Sequence, residues 1–236
     1  MITLAFDSTA KAASCAVLDG ERVLALYNID NGLTQSELLL PMAENMLSAL
    51  KLSFSDVDLF AASVGPGSFT GVRIGVSFIK GLAFGRNVPC VAVSTLEALA
   101  ENIASLDGIL VPCMDARRSQ VYTATFESDG NQLKRLTEDR AISLSALSLE
   151  LSAIKNRRIY LSGDGYAVAR RALTASGLLL SNTPELLITE NAASVAKVAL
   201  RKYNTGEYLD DSSLSPLYLR LPQAERERLE RENSNK

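Results

Sequence analysis

Four short runs of this chain group residues that could hold an anion or move a proton. The longest is Gly65-Pro66-Gly67-Ser68-Phe69-Thr70-Gly71-Val72-Arg73-Ile74-Gly75, which joins an apolar strand-like segment to a helix-like one. A glycine-rich turn at such a junction is a place for an anion, because free N–H groups and the helix dipole point there. Gly65 and Gly67 are therefore candidate anion contacts. The run has no Lys where a P-loop requires one, so a Walker-type phosphate grip is excluded. Asp7-Ser8-Thr9 follows the first apolar segment and brings a carboxylate and two hydroxyls together. A strand-terminal turn, with side chains bonded to nearby backbone, is the favoured reading. Contact of Asp7, Ser8 and Thr9 with a nucleotide is the alternative. Asp115-Ala116-Arg117-Arg118 offers a carboxylate and two guanidiniums. Asp115 and Arg117 could meet a phosphate or a partner's carboxylate there, or simply cap a charged hairpin. Gly163-Asp164-Gly165 is a weaker signal, equally a plain turn.

Histidine is absent from all 236 residues. Within this chain that excludes a Ser-His-Asp triad, a Cys-His pair and any His metal ligand. No catalytic residue and no metal ligand is assigned. Cys15, Cys90 and Cys113 lack metal-like spacing and sit in apolar segments, so they read as buried free thiols of a reducing compartment.

Positioning these runs falls to alternating strands and helices. Strands are expected over residues 2–6, 13–18 and 22–27, with Asp19-Gly20 turning the hairpin. A helix follows over 36–50, with Thr34 as cap and Pro41 expected to bend it. Strand 59–64, helix 72–84, strand 90–94 and helix 96–103 come next. Two helices are apolar on more than one face, which implies cover on more than one side. In the first, Leu39, Met42 and Met46 are candidates for a partner surface, Met being adaptable at such surfaces. In the second, Gly71, Gly75, Phe78 and Leu82 share a stripe on which another helix could approach closely, and Arg73 starts the one polar stripe. A cation there opposes the helix dipole, so Arg73 is expected to face a carboxylate or phosphate.

The string PGSFTGVRIG resembles the signature of the TsaB (YeaZ) family, the partner subunit of the bacterial machinery that makes threonylcarbamoyladenosine in tRNA. Residues 1–9, 36–42, 93–99, 115–122 and 216–220 resemble further segments of that family. One departure is Gln35, where the family usually has His. The resemblance implies an α/β fold of the actin, Hsp70 and sugar-kinase type with two lobes, the second reduced. It implies a non-catalytic scaffold and activating subunit that pairs with a TsaD-like catalytic subunit and is joined by a TsaE-like ATPase. A homodimer through the same face is a further expectation. The chain itself would need no cofactor, while ATP and a metal belong to the partner subunits, and tRNA would be met only through the complex. The rival is an ATP-dependent phosphotransferase or ATPase of the same superfold.

Lobe boundaries are expected at 1–106 and 107–223, with a charged tail over 224–236. In the second lobe, strands are expected over 109–114, 121–127, 133–136, 159–161 and 186–189, and helices over 144–154, 166–175 and 193–203. Apolar residues make up 47% of the chain, enough for a core. No run of about 18 apolar residues suggests a membrane span, and no leader pattern precedes the first strand. The expected location is the cytoplasm. A net charge of −3 argues against tRNA binding by this chain alone.

Overall fold

The computed structural model describes residues 1–220. The expected tail at 224–236 lies outside the described residues. Two sheets organise the chain. The first is built from β1 (Ile2–Asp7), β2 (Ala13–Asp19), β3 (Arg22–Ile29), β4 (Leu59–Ser63) and β5 (Cys90–Val93), in the order β3-β2-β1-β4-β5. β1 pairs parallel with β4, and β4 with β5, while β2 and β3 form the antiparallel hairpin that the Asp19-Gly20 turn predicts.

The alternation of side chains along β1 explains its two-sided cover. Leu4 and Phe6 join the core under α1 (Gln35–Ala49) and α2 (Phe69–Ala83). Ala5 points to the other face, where Ala16, Leu59 and Ala61 meet the small side chains of α6 (Ala192–Asn204). Alanine on both surfaces lets that helix lie close to the sheet. The second-lobe range expected from sequence contained α6; the structure packs it on the first sheet instead. The tertiary contact, not the chain order, decides its lobe.

Local signals set the helix ends. Thr34 N and Oγ1 both donate to Glu37 Oε2, at 2.9 and 2.7 Å, a side chain reaching back to the N-terminal turn. Pro41 lies inside α1 on its exposed side. It leaves the Glu37 carbonyl without a helical donor, and water can serve that carbonyl.

The second lobe is built around β6 (Gly108–Asp115), which α3 (Thr95–Asn102) precedes. β6 pairs antiparallel with β7 (Gln120–Thr123) and β8 (Phe126–Ser128), and parallel with β11 (Ile159–Ser162). β9 (Leu133–Arg135) and β10 (Arg140–Ser143) extend the sheet. The single strand expected over 121–127 is thus two. Between them Thr125 N donates to Thr137 Oγ1 and Thr125 O accepts from Leu136 N, each at 2.8 Å, which diverts the backbone from the β6 ladder. The strand expected over 186–189 is a 3-10 turn at Glu185–Leu187, and β10 had no counterpart in the sequence reading. Helices α4 (Leu144–Ser152) and α5 (Tyr166–Ala175) cover this sheet.

After α6 the chain returns as an extended strap. Leu209 bridges to Cys90, and Leu217 N donates to Val64 O at 2.8 Å. Lys80 Nζ holds the strap through Ser212 O and Leu214 O, at 2.9 and 3.1 Å. Arg220 then reaches the second lobe, donating to Ala116 O at 3.2 Å and to Gln120 Oε1.

Candidate functional site

The β1–β2 turn, the glycine run and the strap converge at the N-terminus of α2. Asp7 is buried there and accepts at both carboxyl oxygens. Thr9 N and Thr9 Oγ1 donate to Asp7 Oδ1 at 2.9 and 2.6 Å, and Ser63 Oγ donates to Oδ2 at 2.5 Å. Burial raises its carboxyl above the usual range, with these donors opposing the shift. Asp7, Ser8 and Thr9 therefore form the strand-terminal turn, tied inward.

The glycines exist for close approach of the chain to itself. A Cβ on Gly65 would lie 2.5 Å from Leu217 O, and one on Gly67 would lie 2.5 Å from Thr9 O. On Gly71 it would collide with the Ser8 carbonyl oxygen, and on Gly75 with Ser8 Oγ. Ser68 N donates to Thr9 O at 2.6 Å, and Ser68 Oγ caps Gly71 N at 3.3 Å. The Ser68 and Gly71 amides are thus spent on this chain. The space beside Gly65 and Gly67 that a side chain would need is filled by Leu217 O and Thr9 O.

The partner-surface candidates divide in the same way. Leu39, Met42 and Met46 are 1%, 3% and 0% exposed and belong to the core beneath α1. Gly71 and Gly75 face Ser8, not an outer helix. These five are corrected: the extra apolar faces are covered by the hairpin, by β4 and by each other. Phe78 and Leu82 are half-buried, Phe78 meeting Phe6 edge-on at 4.9 Å. Arg73 is exposed. The outer surface of the two helices carries Leu40, Pro41, Glu44 and Asn45 on α1, with Thr70, Arg73, Ser77 and Gly81 on α2. A Cβ on Gly81 would meet open space.

Arg73 is the ordered centre of that surface. Its guanidinium lies over the Phe69 ring at 3.9 Å, and Phe69 stacks on Tyr218 of the strap at 4.6 Å between centroids. Nε donates to Tyr218 Oη at 2.7 Å. Among the described residues no carboxylate pairs with it, so the expected acidic neighbour is not supplied by residues 1–220. Two aromatic rings stabilise the cation instead and fix its plane. The remaining N–H groups can grip a carboxylate bidentately. Sequence reading missed Tyr218 because 145 residues separate it from Arg73.

Around the second hairpin, Arg117 N donates to Asp115 Oδ1, and Asp115 N donates to Asp164 Oδ1, both at 2.8 Å. Arg117, Arg118 and Ser119 all have positive φ, near 62°, 52° and 56°. Side chains are strained in that region, and the strand pairing on either side imposes it. A cleft of about 390 Å³ lies farther off, where Glu97, Arg135, Asp139 and Lys202 meet near the strap. In it Arg135 pairs with Asp139 at 2.6 Å and Glu97 at 3.6 Å, and Lys202 with Glu97 at 3.7 Å. Among the described residues no group of three or more His, Cys, Asp or Glu is placed to hold a metal ion. No described helix is long and apolar enough to cross a membrane.

Comparison with known proteins fits this closed loop into a family. A family model described as "TsaD: tRNA N6-adenosine threonylcarbamoyltransferase" matches residues 34–228. The TsaB protein of Bacillus subtilis is 32% identical over 173 residues, covering 73% of this chain and 75% of that one. The chain belongs to the TsaB (YeaZ) family. TsaB of Escherichia coli is 29% identical over 228 residues, covering 93% and 95% of the two chains. Both relatives are described as tRNA threonylcarbamoyladenosine biosynthesis proteins. YeaZ from Pseudomonas aeruginosa superposes with a TM-score of 0.76 at 25% identity, over 92% of this chain and 99% of that one. The two-sheet α/β fold of this chain is the one it shares with YeaZ, as the TsaB resemblance implied.

Proposed function

We propose that this TsaB-family chain is a non-catalytic scaffold and activating subunit in tRNA N6-threonylcarbamoyladenosine synthesis, paired with a TsaD-like catalytic subunit. One observation carries the reading. The loop at which a nucleotide's phosphates could be gripped is filled by the chain's own backbone, with Thr9 O on Ser68 N and Ser8 O against Gly71. A strand-to-helix junction that grips phosphate needs free amides and open space. The absence of histidine from the chain adds to the argument.

The partner face is the outer side of α1 and α2, centred on Arg73 and its aromatic support. A related lobe of the catalytic subunit would meet it in pseudo-symmetric fashion, and a second copy of this chain could take that place when the partner is absent. A TsaE-like ATPase joins the pair. ATP and a metal act on the partner subunits, tRNA is met through the complex, and the setting is the cytoplasm. The test is co-purification with a TsaD-like protein from the same cell, followed by a threonylcarbamoyl-transfer assay with and without this chain. Transfer at full rate without it, or no complex, overturns the reading. Robust ATP hydrolysis by the pure chain would favour the phosphotransferase alternative.

A further inference from the structure

Leu217, Tyr218 and Arg220, close together on the strap, hold three different parts of the molecule. Leu217 N donates to Val64 O at 2.8 Å, just past β4. The seat is shaped for it, since a Cβ on Gly65 would lie 2.5 Å from Leu217 O. Tyr218 stacks on Phe69 of α2 at 4.6 Å between centroids and accepts from Arg73 Nε at 2.7 Å. Arg220 donates to Ala116 O at 3.2 Å and to Gln120 Oε1 in the second lobe, and lies over the Tyr122 ring at 5.5 Å. Ala116 and Gln120 flank the turn Arg117-Arg118-Ser119, whose three residues have positive φ. Backbone in that region persists only where its surroundings fix it. Arg220 thus bridges the two ends of a strained turn, and the residue two positions before it braces Arg73.

This part of the strap can leave its seat without unfolding either lobe. Leu214 is 1% exposed and belongs to the first core, and Lys80 Nζ donates to Ser212 O and Leu214 O beside it. Beyond that anchor little apolar surface is buried, with Leu217 and Tyr218 43% and 40% exposed. Segments with few buried apolar contacts open locally, at a free energy below that of global unfolding. Opening here has two consequences at once. Arg73 loses the acceptor that fixes its plane, and the 116–120 turn loses the cation that bridges its ends.

We propose that residues 215–220 form a clasp with a docked and a released state, and that the clasp couples the Arg73 surface of the first lobe to the 116–120 turn of the second. Docking orders the guanidinium and holds the turn, and release frees both. By linkage, a carboxylate that grips the ordered guanidinium favours the docked state and tightens the turn, and whatever holds the turn favours an ordered Arg73 by the same factor. The consequence for a partner's carboxylate rests on the function proposed above. The clasp itself is a property of this chain.

The experiment uses the full chain alone, so its outcome is independent of the partner reading. Amide hydrogen exchange is followed at residues 116–120. Solvent exchange of the Arg73 Nε–H is followed by heteronuclear NMR, the signal being identified by its loss in Arg73→Lys. Tyr218→Ala is expected to speed exchange at 116–120 about threefold or more, and Arg220→Ala to speed exchange of the Arg73 Nε–H by a similar factor. Amides of β1 and β4 should be unchanged in both variants. Tyr218→Ala acting only at Arg73, or Arg220→Ala acting only at the turn, overturns the clasp. Equal acceleration in β1 and β4 overturns it too, because the strap then acts on global stability. If Tyr218→Ala does not fold, Tyr218→Phe, which removes only the acceptor for Arg73 Nε, decides. Faster exchange at 116–120 supports the clasp, and unchanged exchange there overturns it.

Discussion

Gly71 and Ser8 are bonded and in close contact: Ser8 Oγ donates to Gly71 O at 2.8 Å, and the Ser8 carbonyl oxygen occupies the space a Gly71 side chain would need. The glycine of α2 therefore serves the closure of the β1–β2 turn. Gly71→Ala is expected to cost about 3 kcal/mol through overpacking of a backbone atom that cannot rotate away. Gly75→Leu, whose Cβ meets Ser8 Oγ, should likewise lower the melting point of the monomer. Circular dichroism melts check this. A variant that melts like the parent yet fails to bind its partner returns Gly71 to the interface.

Arg73 is braced by Phe69 and Tyr218 but exposed, so its removal should be mild for the fold. Arg73→Ala is expected to change stability by less than about 1 kcal/mol. It should weaken binding to the TsaD-like subunit about tenfold or more, as loss of a charge-assisted bidentate contact does. Arg73→Lys should rescue poorly, because an ammonium cannot make the fork. Isothermal titration with the partner measures both. A loss of several kcal/mol of stability with normal activation by the folded fraction makes Arg73 an internal brace.

Thr3 Oγ1 is buried in β1 with no hydrogen-bond partner among the described residues. Its neighbours across the sheet are Leu18 and Leu59. Thr3→Val replaces the hydroxyl by a methyl of the same shape, so the desolvation cost disappears. Stability should rise by about 1 kcal/mol in a urea melt. A decrease would show that the hydroxyl has a partner, such as a buried water.

The pure chain is expected to hydrolyse ATP at a rate no different from a protein-free control with magnesium. Single-turnover measurements on carefully fractionated protein are the check. Hydrolysis that Asp7→Asn abolishes would falsify the scaffold reading, since Asp7 is committed to Thr9 and Ser63 in the closed turn.

Arg220 joins the strap to the second hairpin through Ala116 O and Gln120 Oε1, and lies over the Tyr122 ring at 5.5 Å. Arg220→Ala should speed amide exchange at residues 116–120 while leaving β1 and β4 unchanged. Uniform acceleration across both lobes would mean that the strap acts on global stability instead.

Element types were legible in the sequence because period-2 and period-3.6 apolar patterns are local. β1, β2, β4, α1 and α2 follow from them, and Thr34 and the Asp19-Gly20 pair mark a helix start and a hairpin turn. The ten-residue string around Gly71 carried the family, since its mixed residue types answer one local geometry. What covers each apolar face is a long-range matter. Leu39, Met42 and Met46 read as surplus hydrophobicity on isolated helices, but the β2–β3 hairpin, β4 and α2 bury them. Gly71 and Gly75 read as a helix-approach stripe, and only the packed turn at Ser8 shows which chain segment approaches. Tyr218 stood in the family-like segment 216–220 with nothing to pair it with Arg73, and Glu190 gave no sequence signal. The bond from Arg73 to Tyr218 spans 145 positions and that from Asn28 to Glu190 spans 162, and such distant pairs are brought together by chain closure alone.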